Sequence, residues 1–196
     1  MNQPHEHDDV VKVKLVDSFN YTLSVLSTNR ILFIGEVVSE SLADQITAML
    51  LYLDNQDNKS LIEMYINSPG GEVHSLFKIY DIMQMIRSPI KTVCLGRCSS
   101  AAAVMLSAGT KGERYALKNS RIMIHGVQSV FPLPGQDMAS NKSYYESIIE
   151  NNDSIMKILS HHTGQPLEKI RKDCLEDVWM SPTEAIKYGI IDKILQ

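Results

Sequence analysis

The chain has 196 residues, the upper end of one ordinary domain, and folding at that size buries about 70% of the extended chain's surface without a disulfide or metal staple. Its net charge of −4 argues against nucleic acid or an anionic membrane as partner, and its three cysteines, Cys94, Cys98 and Cys174, lack the spacing of a metal site. Residues 1–9 lack the basic start and apolar stretch of a secretory signal, and the apolar run over 101–108 is too short to span a bilayer, so a cytoplasmic protein without metal or cofactor is expected.

In chain order, residues 1–12 read as a mobile arm, with His5 and His7 as tail residues. Ile31 to Ile34 is a short buried strand closed by Gly35. Leu42, Ile46, Met49, Leu50 and Leu53 mark one face of a helix, with Ser39 or Ser41 as its N-cap. Leu61 to Ile66 is the next strand, running into the tight loop Asn67-Ser68-Pro69-Gly70-Gly71. The helix after it turns Val73, Phe77, Tyr80, Met83 and Ile86 inward and stops before Pro89.

A third strand spans Ile90 to Leu95, and Gly96 opens a turn into a small-residue helix starting near Ser99 or Ser100. Arg114 to Leu117 and Arg121 to His125 are two more strands, and Gly126 to Met138, with two prolines, is an irregular insert. A long helix is predicted from about Ser140 to His162, stopped by Thr163-Gly164. Ser181-Pro182-Thr183-Glu184 is a capping box with proline at the first helical position, and Gly189 ends that helix. Strand and helix alternate, which favours parallel strands covered by helices, an α/β architecture.

Two junctions carry chemistry. At Gly70-Gly71 the absence of side chains lets backbone N–H groups turn outward, where they can hold the negative oxygen of a tetrahedral intermediate; a plain strand–helix turn accounts for the same residues. At Gly96 to Ala103 a serine presented between strand and helix stands where a nucleophile would, although the GxSxG spacing is absent and Ser99 and Ser100 serve equally as helix caps. A serine nucleophile needs a base. His161 and His162 are explained by the helix C-terminus, His74 lies one turn after the glycines, and His125 ends an apolar strand. The base needs an orienting carboxylate, and Asp173, Glu176 and Asp177 are equally available.

Several blocks together resemble the proteolytic-subunit family of the ATP-dependent Clp protease. They are Tyr65 to Gly71, Ile79-Tyr80-Asp81, Lys111 to Tyr115, Asn119 to His125, His162 to Ile170, and Met180-Ser181 through Leu195. The resemblance covers roughly residue 30 to the end, in order and with compatible spacing. It implies a crotonase-like α/β spiral of repeated ββα units with a protruding helical handle. It divides the chain into a segment 1–30 that supplies axial contacts and one peptidase domain over 31–196, the handle lying at about 126–162. It further implies a serine endopeptidase with Ser100 as nucleophile, His125 as base, Asp177 as carboxylate, and the backbone N–H groups of Gly71 and Ala101 as oxyanion donors. As partners it implies seven-membered homo-oligomeric rings stacked in pairs, an AAA+ unfoldase of the Clp type, and peptide or unfolded-protein substrates.

The sequence departs from the family pattern in places. Arg97, Cys98 and Ser99 precede the nucleophile position where an apolar run is usual, Gly126-Val127 follows the base in place of Gln-Pro, and the segment from Val127 to Met138 is unusual. Leu175 and Glu176 stand where an acid–arginine pair normally links ring contact to triad alignment. A non-catalytic ring subunit and a crotonase-type acyl-CoA enzyme are the competing readings; filled triad positions disfavour the first, and a serine–histidine pair in this register disfavours the second.

Overall fold

The structure, a computed structural model, describes residues 21–128, 135 and 137–195. The arm over 1–12 and most of the insert after Gln128 lie outside these residues.

Helix α1 is described over 21–28 and leads into β1 (Ile31–Ile34). The turn between them holds Arg30 at a φ of 63°, and its guanidinium donates to the carbonyls of Leu53, Asp57, Ser60 and Leu61, tying the first strand to the end of the following helix. Helix α2 (Glu40–Gln56) is capped by Ser39, whose hydroxyl accepts the Leu42 N–H at 3.3 Å. Then come β2 (Ile62–Ser68), α3 (Val73–Met85), β3 (Ile90–Ser99) and α4 (Ala101–Ser107). The chain continues through β4 (Arg114–Leu117), β5 (Arg121–Ile124), α5 (Met138–Thr163), α6 (Leu167–Asp173), β6 (Val178–Met180), α7 (Pro182–Tyr188) and β7 (Lys193–Leu195).

The strands form a sheet in the order β1-β2-β3-β4-β7, all parallel, with Val, Ile and Met at the positions buried beneath α2, α3 and α4. Strand β3 is the trunk from which the sheet forks. Its first half, Thr92 to Cys94, pairs with β4, and its second half, Arg97 to Ser99, pairs with β5. Strand β6 then pairs with β5 in an antiparallel contact. The strand–helix alternation is the predicted α/β order.

Several elements differ from the sequence reading, which assigns no element to α1, α6, β6 or β7 and ends β2 at Ile66 rather than Ser68. Strand β3 runs on through Gly96 to Ser99, because β5 offers a second parallel partner that no local signal reveals. Helix α3 buries Ser75, Leu76, Ile79 and Met83, while Val73, Phe77 and Tyr80 are only partly covered. Its inward face tolerates Ser75 because that hydroxyl donates to the Glu72 carboxylate at 2.9 Å. Helix α5 starts at Met138, since Asp137 accepts the Ser140 N–H at 2.7 Å and caps it early.

A partly buried ion pair closes the far end of the sheet. Arg114, 4% exposed, donates three hydrogen bonds to the Asp192 carboxylate, one of them from its backbone N–H, and one each to the His162 and Ser107 carbonyls, joining β4, α4, α5 and the approach to β7. Burial opposes ionisation of Asp192, but the hydrogen bonds and charge of Arg114 outweigh it and hold the carboxyl below its ordinary range. Among the described residues no helix is long and apolar enough to cross a membrane, and no group of His, Cys, Asp or Glu is arranged to hold a metal ion.

Candidate active site

Strand register brings the candidate residues to one edge of the sheet. In the parallel β3–β5 pair Ser99 lies beside Met123, and the Ser100 N–H continues the ladder by donating to the Met123 carbonyl at 2.8 Å. Ser100 is thus the first residue past β3, and His125 the first past β5, on neighbouring strands pointing the same way. In the antiparallel β5–β6 pair the register Ile122↔Met180, Met123↔Trp179, Ile124↔Val178 puts Asp177 opposite His125 at the next step. His125 Nδ1 lies 2.9 Å from Asp177 Oδ1. Pairing geometry therefore assembles three residues separated by 77 positions of chain between Ser100 and Asp177.

Ser100 itself has φ 55° and ψ −124°, a conformation that L-residues seldom adopt. It stands at the N-cap position of α4, yet its hydroxyl makes no capping bond, so helix capping does not account for it. Ser99 is 3% exposed and its Oγ meets no partner. Ser100, by contrast, borders a cavity of about 220 Å³ that His125 and Gly71 also line, floored by Leu76, Val104, Ile155 and Leu159. Among the described residues no hydrogen bond joins Ser100 Oγ to the His125 ring, and the imidazole side chain is 13% exposed against 48% for Asp177.

The glycine loop is shaped by close approach. A Cβ on Gly70, whose φ is 95°, would fall 2.6 Å from the Ser99 carbonyl and 2.8 Å from Ser100 Cβ, and one on Gly71 would fall 2.1 Å from the Val38 carbonyl. Val38 grips the loop from the other side: its N–H donates to the Gly70 carbonyl and its carbonyl accepts from the Glu72 N–H, both at 2.8 Å. The Gly70 N–H is taken up by Ser68 Oγ at 3.1 Å. Among the described residues neither the Gly71 N–H nor the Ala101 N–H donates to the protein, and both residues line the cavity. Two free donors there can stabilise an oxygen that gains negative charge.

The competing residues lie elsewhere. His74 is on the first turn of α3 with its ring edge-on to Phe77, outside the cavity lining. His162 is half-buried against Tyr80, its Nε2 3.2 Å from the phenol oxygen. Burial first, then the charges of His161 and Arg114, depress its pKa to about 4 and keep it neutral. Asp173 is engaged by Lys169 and Tyr188, and Glu176 lines a second groove with His125 and Asp177 but, among the described residues, makes no hydrogen bond to the ring. The side chain of Arg97, exposed at the end of β3, makes no ion pair among the described residues.

Two residues around the site were not singled out from the sequence for a role of their own. Asn67 Oδ1 accepts the Arg97 N–H at 3.1 Å and bridges the register shift by which four residues of β3 pass two of β2. Asn152, on α5, accepts the Val127 N–H at 2.9 Å just beyond the histidine. Only the position of Asn152 in the buried stripe with Ile155, Met156 and Leu159 could have drawn attention to it.

A sequence profile described as Clp protease matches residues 16–196. The chain is 42% identical over 172 residues, 88% of its length and 83% of the relative's, to the ATP-dependent Clp protease proteolytic subunit of Deinococcus radiodurans. With its strand-and-helix order and its sheet-edge cluster in place, the chain belongs to the Clp protease family and has that family's crotonase-like α/β fold.

Proposed function

We propose that this protein is a serine endopeptidase, the proteolytic subunit of an ATP-dependent Clp-type protease, in which Ser100 is the nucleophile, His125 the general base and Asp177 the residue that orients the base. The observation that carries this reading is the 2.9 Å contact of His125 Nδ1 with Asp177, at a cavity shared with a serine held at positive φ. Asp177 fixes the tautomer with the proton on Nδ1, leaving Nε2 to accept the Ser100 proton. Ser100 Oγ attacks the peptide carbonyl, whose oxygen turns to the N–H groups of Gly71 and Ala101. The imidazolium then protonates the leaving amine, and water hydrolyses the acyl-enzyme by the same path. Binding of substrate completes the Ser100–His125 hydrogen bond, which in ligand-free hydrolases is often long.

The cavity floor is apolar, so the residue N-terminal to the cleaved bond is an apolar side chain of a size that about 220 Å³ accepts. Whole proteins reach the site after unfolding by a Clp ATPase partner, and the subunits assemble as paired seven-membered rings in the cytoplasm. Residues 1–30 make the axial contacts in this reading, and α5 forms the handle.

Labelling by a fluorophosphonate tests the assignment. The parent and Ser99→Ala proteins react; Ser100→Ala does not. Equal labelling of Ser100→Ala would remove Ser100 from the mechanism. Native mass spectrometry checks the assembly, and a monomer as the sole species would overturn the paired rings.

A further inference from the structure

Helix α5 changes character at Asn152. Toward its C-terminal end Ile155, Met156 and Leu159 are buried against the body, and Ile155 and Leu159 floor the cavity. Toward its N-terminal end Tyr145 and Ile149 are about half exposed, at 48% and 49%. Asn152 lies on the buried stripe, at the spacing i, i+3, i+4, i+7 with Ile155, Met156 and Leu159, but is polar.

The polar position has a partner that explains it. Asn152 Oδ1 accepts the Val127 N–H at 2.9 Å, and one residue earlier the Gly126 N–H donates to the Cys174 carbonyl at 2.8 Å. The two residues after His125 are thus held by successive N–H groups, one to the α6–β6 loop and one to α5. The grip is close: a Cβ on Gly126 would stand 3.1 Å from both Asn152 Oδ1 and the Cys174 carbonyl. The Asp177 side-chain contact fixes the ring at Nδ1 alone, and a ring held at one nitrogen can still swing about it. The backbone from which the ring hangs needs its own anchor, because β5 ends at Ile124.

We propose that Asn152 is a positioning residue of the peptidase site, fixing the backbone beyond His125 so that the imidazole meets Ser100 in line. This rests on the assignment of Ser100 and His125 as nucleophile and base. Val127 and Gln128 line the same cavity, so the clamp also sets the edge along which a substrate lies.

The test compares Asn152→Leu, of similar size without an acceptor, with Asn152→Asp, which keeps the acceptor and adds a charge. The charged groups already facing the imidazole are Asp177 and Glu176, both from the loop before β6; α5 contributes Tyr145, Ile148, Ile149 and Asn152 to that side and no charge. In the assembled protein, Asn152→Leu lowers kcat on a short peptide and the rate of fluorophosphonate inactivation together by about tenfold, the factor corresponding to ~1.4 kcal/mol. Asn152→Asp restores both rates at alkaline pH to within about threefold, since the acceptor of the N–H is kept. Its carboxylate stabilises the imidazolium, so the acid limb of kcat/KM moves upward by about half a pH unit.

A correctly assembled Asn152→Leu protein with parental kcat and inactivation rate would overturn the proposal. So would an Asn152→Asp protein that folds but stays inactive, or that shows no displacement of the acid limb, and this second variant decides the matter if the leucine protein fails to assemble. Ser100→Ala run alongside separates the two levels. If it still hydrolyses peptide and labels, the catalytic assignment falls; if it is inert and the Asn152 variants are parental, only the clamp falls.

Discussion

The two halves of the candidate site are built to different standards of rigidity. The nucleophile half is part of the parallel sheet: Ser100 is tied to Met123 by its N–H, Ser99 beneath it is buried, and Gly70 packs against both at distances that exclude a side chain. The acid–base half hangs from a three-residue antiparallel pairing and a loop, with Asp177 about half exposed and Leu175 beside it 82% exposed. The difference teaches where the site can give. In the proposed mechanism the oxyanion donors and the strained Ser100 lose their value if they move, and they sit in the core, whereas His125 as base must travel between Ser100 and the leaving group and is held by side-chain and loop contacts that permit it.

The sharpest break is at Ser100. Ser100→Ala lowers kcat by about 10⁶-fold, as removal of a triad nucleophile does, without loss of thermal stability, because the hydroxyl makes no capping bond and borders the cavity. Ser100→Gly removes activity equally but raises stability by about 1 kcal/mol by relieving a φ of 55°. A melting temperature for Ser100→Gly at or below the parent's would show that the nucleophile half stores no strain. Asp177→Asn tests the other half. It keeps the shape but leaves the imidazole in the wrong tautomer, so kcat falls by about 10⁴-fold while the melting temperature is unchanged, the side chain being half exposed. Gly70→Ala ranks next. Its Cβ meets the Ser99 carbonyl at 2.6 Å in a backbone that favours glycine, costing about 3 kcal/mol in denaturant unfolding and disturbing the nucleophile at the same time. A stability loss with Asp177→Asn, or none with Gly70→Ala, would reverse the comparison.

Local chemistry in the sequence was enough for the parts whose cause is local. A serine cap at Ser39 or Ser41, the Ser181–Glu184 box, the stops at Gly164 and Gly189 and the strand–helix order all follow from residues within a few positions of one another. What escaped is non-local. Continuation of β3 through Gly96 depends on β5, some 25 residues on. The inward face of α3 is the exception, since the Glu72 carboxylate that satisfies Ser75 lies only three residues away and went unread. Composition alone left Asp173, Glu176 and Asp177 equal, since only the register of β5 against β6 sets Asp177 opposite the histidine; the family resemblance had pointed to the same residue. Asn67 and Asn152 act as acceptors of single backbone N–H groups, a role that leaves no period or motif to read.

The smallest expected effect asks how locally the acid–base half is held. Ser181 follows β6 directly and caps α7: its N–H donates to Glu184 Oε2 at 2.8 Å, and its Oγ accepts the Glu184 N–H at 3.4 Å. Ser181→Ala removes the cap and costs about 1 kcal/mol, a fall in melting temperature of about 2–4 °C for a chain of this size. It loosens the Met180 end of β6, opposite Ile122. The Asp177 end is secured separately, by the Gly126 N–H on the Cys174 carbonyl and by the His125 contact, so kcat stays within about twofold of the parent. A tenfold loss of kcat in a Ser181→Ala protein of parental mass would mean that strain passes along the whole of β6, and the acid–base half would then be as cooperative with the core as the nucleophile half.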